Sequence, residues 1–325
     1  MKVSAHIEEW DLKKPFRISG MEWTSTRSVV VQIGGDGCIG RGEAQGVIYT
    51  GETVETIIAQ VYDVIDSMRS GITRAALLDL LPAGGARNAI DCALWYLEAK
   101  LAGKTIWELT GIEARPVTTV FTIGIEPTPE QMAQNASAAT DSPALKIKVD
   151  ADRPIERLRA IRAARPDAAI VVDANEGWNF ELLQKVLPHA AELEISMIEQ
   201  PLPRGGDNEL EGFESPVPLA ADESCLDTSE LEQASRRYDM INIKLDKTGG
   251  LTEALNLARV AKEKGLKLMV GNMMGTSLSM APSFVIAQLC DFVDIDGPLL
   301  LKNDHPTGLS YKSGLVDVFS PSFWG

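Results

Sequence analysis

The residues able to do chemistry recur at regular intervals. Ala144–Asp150 reads Ala-Leu-Lys-Ile-Lys-Val-Asp. After it come Asp173 in Val-Val-Asp-Ala-Asn, Glu199 in Ile-Glu-Gln-Pro, Asp222 in Ala-Asp-Glu-Ser and Lys244 in Ile-Asn-Ile-Lys. Each charge closes a short apolar run. Taken singly, Lys146-x-Lys148 reads as a solvated edge strand, and a lone acid as a helix cap or half of a salt bridge. Three carboxylates on consecutive strands are different: aimed at one volume, they repel unless a cation lies between them. Oxygen donors without His or Cys nearby select a hard ion, magnesium over zinc. His6, His189 and His305 all lie away from these positions, which argues against a histidine zinc site and a Ser-His-Asp triad.

A lysine becomes a base only when its pKa falls, and nearby positive charge lowers it. Lys146 and the ion would do this for Lys148, and the ion for Lys244. Two such lysines facing each other suit removal of a proton from one face of a carbon α to a carboxylate or amide carbonyl, and its return on the other. Three plainer readings stand beside this one. The lysines could simply neutralise the acids, one could form a Schiff base as in barrel aldolases, or the chain could be a non-catalytic magnesium-binding module.

These residues need elements to place them. From Val117 onward short β-branched runs alternate with helical patterns, and strand ends fall at Thr122, Lys148, Asp173, Glu199, Asp222, Lys244, Asn272 and Asp296. Helices are expected over Glu156–Ala164, Phe180–Leu193, Ser229–Arg236, Thr252–Lys264 and Ser277–Leu289, one after each strand in principle. Eight βα units in series predict an α/β chain with a (β/α)8 barrel, whose strand C-termini meet at one mouth. A doubly wound sheet would want a Gly-rich first turn, which Gly124–Thr128 does not supply.

Residues 1–113 read as an α+β capping unit and 114–302 as the barrel, with the tail 303–325 folding back onto the cap. In the cap, strands around Val3–Glu9 and Arg27–Ile33 bracket a loop at Ile18–Thr26. Gly34-Gly35-Asp36-Gly37 carries hairpin-turn chemistry, and Val54, Ile57, Ile58, Val61, Ile65 and Met68 form a helical stripe. Trp95, in a second stripe, reads as core. The 325 residues carry a formal net charge of −15, which argues against nucleic acid or an anionic membrane as partner. With no bilayer-length apolar run and no signal-like start, a cytoplasmic chain is expected. Cys38, Cys92, Cys225 and Cys290 read as four buried thiols. A homo-oligomer stays open.

As a set, Lys146-Ile-Lys148, Val-Asp173-Ala-Asn175, Glu199-Gln-Pro201, Asp222-Glu-Ser224 and Asn242-Ile-Lys244 resemble the muconate-lactonizing subgroup of the enolase superfamily. In that superfamily lysine bases work with magnesium-stabilised enediolates. The resemblance implies Asp173, Glu199 and Asp222 as ligands of one Mg²⁺ per subunit, and Lys148 and Lys244 as the acid/base pair with Lys146 assisting. Asp294-Ile-Asp296 looks like the dipeptide epimerases, where such a pair holds the substrate ammonium by charge-assisted hydrogen bonds. Thr122 matches a substrate-contact position of those enzymes, and Asn272 is a further candidate contact. The implied reaction is inversion of the α-carbon of the C-terminal residue of an L,L-dipeptide. A cycloisomerase or a succinylbenzoate-synthase-type lyase is the alternative within the superfamily. Where Ala-Glu epimerases tend to present a cation, the stretch Ser19–Thr24 offers Glu22 and Trp23, with Arg17 and Arg27 nearby. An apolar or aromatic second residue, sorted near Trp23, is therefore expected over glutamate.

Overall fold

A long antiparallel hairpin opens the chain in this computed structural model, which describes residues 1–18 and 21–325. Strand β1 (Lys2–Ile18) pairs with β2 (Met21–Gly35), and β2 with β3 (Cys38–Ala44). Asp36 and Gly37 join β2 to β3, both at positive φ (48° and 82°). That two-residue turn matches the twist of the flanking strands, and glycine enters it without a steric cost. The expected loop at Ile18–Thr26 is overturned for residues 21–26, which stay in strand: Trp10 faces Thr26, Phe16 faces Trp23 and Arg17 faces Glu22. Thr24 and Thr26 are good strand formers, so the ladder continues past the sheet body. Ser19 and Gly20 lie outside the described residues.

Helices α1 (Val54–Asp63), α2 (Ile65–Arg69), α3 (Arg74–Leu80), α4 (Gly85–Ala102) and α5 (Ile106–Thr110) cover one face of this sheet. Val54, Ile57, Val61 and Met68 of the expected stripe are buried against Val29, Val31 and Ile33, while Ile58 and Ile65 pack at its edge. Thr53 caps α1 and Thr105 caps α5, each accepting from a backbone N–H three residues on. Trp95 is buried as expected. The Arg74 guanidinium lies 3.5 Å over its ring, and its Nε1 donates to Thr252 Oγ1 at 3.0 Å.

After the short β4 (Val117–Thr118) come eight parallel strands: β5 (Phe121–Ile123), β6 (Ala144–Lys148), β7 (Ala169–Asp173), β8 (Ile195–Glu199), β9 (Leu219–Ala221), β10 (Met240–Ile243), β11 (Lys267–Val270) and β12 (Phe292–Val293). They pair in chain order. The sheet curls until its ends meet: Val120 N–H donates to Val293 O (2.9 Å), and Ile295 N–H to Thr119 Oγ1 (3.1 Å). The fold is thus a (β/α)8-type barrel with an α+β cap.

Helices α6 (Pro129–Ala138), α7 (Pro154–Ala164), α8 (Phe180–Glu192), α9 (Leu231–Ala234), α10 (Leu245–Thr248), α11 (Leu251–Glu263), α12 (Ser277–Ala287) and α13 (Gly297–Leu300) form the outer layer. Besides the short α10 and α13, which were not expected, three further differences appear. The helix α6, opened by Thr128 and Pro129, was not foreseen. No α-helix follows β8, where Gly205, Gly206 and Gly212 break the segment and only a 3-10 turn at Asn208–Leu210 forms. Ser229–Arg236 shortens to a 3-10 turn and the four-residue α9.

Buried polar contacts join cap to barrel. Asp246 Oδ1 accepts from Gln45 N–H (3.0 Å) and Gly46 N–H (2.8 Å), and Asp91 accepts from Thr252 N–H (2.9 Å) and its hydroxyl (2.6 Å). Glu43 accepts from the N–H and hydroxyl of Thr276. The tail adds β13 (Tyr311–Lys312) and β14 (Leu315–Val316), which pairs with β4. Beyond them Trp324 Nε1 donates to Arg41 O (3.0 Å), and Ile106 N–H to Gly325 O (2.8 Å). All four cysteines are free thiols, but only Cys92 and Cys225 are buried. Cys38 and Cys290 are partly exposed, so four fully buried thiols is corrected to two.

Candidate active site

Inside the barrel the lowest layer is apolar: Val120, Val171, Met197, Ala220, Met240 and Met269, with Ala144 and Phe292 packed against them. Side chains on a strand return to the same face every second residue. One step up, the interior positions are therefore Thr122, Lys146, Asp173, Glu199, Asp222, Asn242, Gly271 and Asp294. The polar ring is a consequence of period two laid over an apolar plug. Gly271 is needed there because a Cβ would lie 2.6 Å from the Asn242 side-chain amide. The next step brings Lys148 on β6, and Lys244 and Asp296 just past the ends of β10 and β12.

Every charged member of this ring is buried. Lys146 Nζ lies 3.0 Å from Asp173 Oδ2, 2.7 Å from Glu199 Oε2 and 2.8 Å from Asp294 Oδ2. Lys148 Nζ donates to Asp173 Oδ2 (2.6 Å) and Asn175 Oδ1 (3.0 Å). Across the ring Lys244 Nζ donates to Asp222 Oδ2 (2.5 Å), while Lys247 Nζ takes Asp222 Oδ1 (2.7 Å). Side-chain exposure separates the four ammoniums: 11% and 8% for Lys148 and Lys244, against 2% and 0% for Lys146 and Lys247. The first two are the ones a substrate entering the mouth could touch. They stand four strands apart in an eight-strand ring, with Asp173, Glu199 and Asp222 on the three strands between.

The electrostatics reflect this interleaving. Burial pushes the Asp173 carboxyl up, but Lys146 and Lys148 outweigh it and hold it at about 2. Burial, then Asp173, lifts Glu199 to about 7, since Lys146 offsets only part of the cost. Asp222 is held well below its usual range, because Lys244 and Lys247 overcome its desolvation. Two of the ammoniums, Lys244 and Lys146, answer to the carboxylates around them. Burial lowers Lys244, yet Asp222 and Glu199 outweigh it and carry it above its ordinary value; Lys146 is raised likewise by Asp173, Asp294 and Glu199.

Asp294 and Asp296 meet the ring at its seam. Asn272 Nδ2 donates to Asp294 O (2.8 Å) and Oδ1 (3.2 Å), so Asn272 reaches the acid pair from β11 rather than standing in the ring itself. Thr122 N–H donates to Asp296 Oδ2 at 2.7 Å. Burial, then Asp294, raises Asp296 to about 7. The cap hairpin crosses above this seam, with Ile125 N–H donating to Arg17 O (3.0 Å) and Lys13 Nζ to Leu299 O (2.9 Å). A cavity of about 470 Å³ beneath it is walled by Phe16, Arg17, Glu22, Phe121 and Leu299 among others. Trp23 stands half-buried opposite Phe16. Arg27 turns outward to Glu55 (2.7 Å).

Among the described residues no three His, Cys, Asp or Glu side chains form a ready-made metal cage, because ammonium groups are interleaved with the acids. The donor set nevertheless fits a hard divalent cation. It is all oxygen, on three adjacent strands, and Glu199 Oε2 has no partner beyond its 2.7 Å ion pair with Lys146. Sequence reasoning missed several participants. Asn242 Nδ2 donates to Glu199 Oε1 (2.7 Å), and its alternation with Lys244 was the available signal. Lys247 has a signal only in its three-residue spacing from Lys244.

Comparison with known proteins follows the same outline. The "Mandelate racemase / muconate lactonizing enzyme, N-terminal domain" family matches residues 1–111, and the "Enolase C-terminal domain-like" family residues 130–314. The chain is 42% identical to the L-Ala-D/L-Glu epimerase of Escherichia coli K12 over 96% of its own length and 98% of that relative's. A crystal structure of an enolase family member from Agrobacterium tumefaciens, described as homologous to dipeptide epimerases and holding sodium and L-Ala-L-Glu, superposes with a TM-score of 0.96 at 44% identity, covering 99% of each chain. The dipeptide epimerase of Enterococcus faecalis, complexed with Mg and L-Leu-L-Tyr, gives 0.91 at 27% identity, covering 97% of this chain and 96% of that one.

Proposed function

The chain belongs to the mandelate racemase/muconate lactonizing enzyme family of the enolase superfamily and is an isomerase, and from that premise we propose that it is a Mg²⁺-dependent dipeptide epimerase. It inverts the α-carbon of the C-terminal residue of an L,L-dipeptide. The observation that carries the reading is the placing of Lys148 and Lys244 four strands apart, with three carboxylates strand by strand between them.

Asp173, Glu199 and Asp222 would hold one Mg²⁺ per subunit. Bound there, the ion supplies positive charge against the substrate carboxylate as its α-proton leaves. The rest is the work of side chains. One of Lys148 and Lys244 accepts the α-proton from one face, giving a planar enediolate, and the other returns a proton to the opposite face. Lys146 keeps a fixed positive charge between Asp173, Glu199 and Asp294. Asp296, with Asp294, receives the substrate ammonium at the seam, with Thr122 and Asn272 orienting the two acids. The hairpin presents the Phe16–Trp23 pair, and Arg17 is opposed across the strands by Glu22. That combination favours an apolar or aromatic second residue over glutamate.

The test is hydrogen exchange at the α-carbon in D₂O with Mg²⁺, using L-Ala-L-Phe, L-Ala-L-Leu and L-Ala-L-Glu and both epimers of the best substrate. Lys148→Ala is expected to block exchange from one epimer and Lys244→Ala from the other, each by roughly a hundredfold or more. Variants that still exchange both epimers at the parental rate would refute the two-base scheme.

A further inference from the structure

Asp222 has no ladder partner of its own. Strand β9 ends at Ala221, and residues 222–225 turn away from the sheet. Something else must hold that carboxylate beside Glu199. The side chain of Gln200, the residue that follows Glu199, lies against this turn.

Gln200 is fully buried and adopts a left-handed backbone (φ 34°), which a non-glycine residue takes only when its surroundings impose it. Its own peptide is stitched to both neighbouring strands: Gln200 N–H donates to Ala220 O (2.8 Å), and Glu176 N–H donates to Gln200 O (2.9 Å). The left-handed turn swings the side chain to the place the next peptide of β8 would occupy. From there Oε1 accepts from Asp222 N–H (2.9 Å) and Ser224 N–H (3.0 Å). Nε2 donates to Leu202 O (2.7 Å), Ser224 Oγ (2.8 Å) and Tyr238 Oη (3.2 Å). The amide is thus fully engaged, and it continues the β8–β9 ladder beyond the last backbone pair.

The carbonyls of the same turn are held from the other side. Lys247 Nζ donates to Asp222 O (2.6 Å), Cys225 O (3.0 Å) and Asn242 O (2.7 Å). One side chain grips the N–H groups of Asp222 and Ser224, and another grips the C=O groups of Asp222 and Cys225. We infer that Gln200 is a positioning residue: by extending the ladder with its side-chain amide, it fixes the 222–225 turn so that the Asp222 carboxylate is held beside that of Glu199 for a shared divalent cation. The inference rests on the reading of Asp222 as a ligand, but its structural half can be tested without the metal.

Two substitutions separate reach from backbone strain. Gln200→Asn keeps the amide and suits the left-handed backbone, but is one methylene too short to reach Asp222 and Ser224 N–H. Gln200→Glu keeps an acceptor in place and forfeits the donors. Hydrogen–deuterium exchange of the 219–226 segment is followed by mass spectrometry in EDTA, and Mg²⁺ affinity by titration calorimetry. In Gln200→Asn, exchange at 219–226 should quicken about tenfold while β6 and β7 keep their protection, and Mg²⁺ should bind roughly tenfold to a hundredfold more weakly. Gln200→Glu should retain the protection of 219–226. Unchanged protection in Gln200→Asn overturns the inference, as does parental Mg²⁺ affinity in that variant. If the parent protein itself fails to bind Mg²⁺ while the exchange effect is seen, the proposed function falls and the positioning role of Gln200 stands.

Discussion

Glu43 sits where the cap sheet meets the loop after β11, and replacing it with glutamine should change how stability depends on pH. Its carboxyl is fully buried; desolvation raises it from 4.5 to about 7, despite hydrogen bonds from the hydroxyl and N–H of Thr276 that act the other way. The Glu8 carboxylate raises it further, and Gln45 Nε2 donates to Oε1 at 2.9 Å. A carboxyl with a raised folded pKa binds its proton more tightly folded than unfolded. Its contribution to stability is therefore fullest below the unfolded value of 4.5 and is lost as pH rises through about 7. At about 1.4 kcal/mol per pH unit the whole loss is roughly 3 kcal/mol, of which about 2.5 kcal/mol falls between about pH 5 and about pH 8.

Glutamine preserves the shape and the two acceptor contacts at Oε1, and its amide can donate to the Thr276 hydroxyl in place of accepting from it. The assay is urea unfolding of parent and Glu43→Gln at several pH values in EDTA, taking the difference in free energy so that other titrating groups cancel. The variant should be the more stable of the two at about pH 8, by roughly 2.5 kcal/mol more than any difference at about pH 5. A difference that stays flat across this range, or that grows towards acid, would refute the reasoning.

Other consequences follow from the same contacts. Asp222→Ala strips the partner from Lys244 and Lys247, two buried ammoniums, and should cost about 3–5 kcal/mol by chemical denaturation; Asp222→Asn should cost less while abolishing Mg²⁺ binding by calorimetry. Asp296→Asn should raise KM for a dipeptide roughly tenfold or more, and steady-state kinetics with an N-acylated dipeptide, which has no ammonium, should show no further loss. Gly271→Ala brings a Cβ to 2.6 Å from the Asn242 amide. It should cost about 1–3 kcal/mol and disturb the Asn242–Glu199 hydrogen bond, visible as weaker Mg²⁺ binding. EDTA should silence α-carbon exchange, and Mg²⁺ should restore it.

The amino-acid order alone carried the period-two runs, the recurrence of a polar residue at each strand end, and the turn at Asp36-Gly37. These are local signals, since side-chain alternation and left-handed turn residues depend only on near neighbours. They pointed to an eight-strand barrel with Lys148, Asp173, Glu199, Asp222 and Lys244 at its strand ends, while the pairing of Asp294 with Asp296 came with the resemblance to the dipeptide epimerases. What the order could not express is contact between segments distant in the chain. The extended hairpin at 21–26, the missing helix after β8, and the grip of Gln200 and Lys247 on the 222–225 turn all depend on such contacts. So do the raised lysines: no spacing rule says how many carboxylates surround a buried ammonium, and only the closed ring brings Asp173, Glu199 and Asp294 to Lys146 at once.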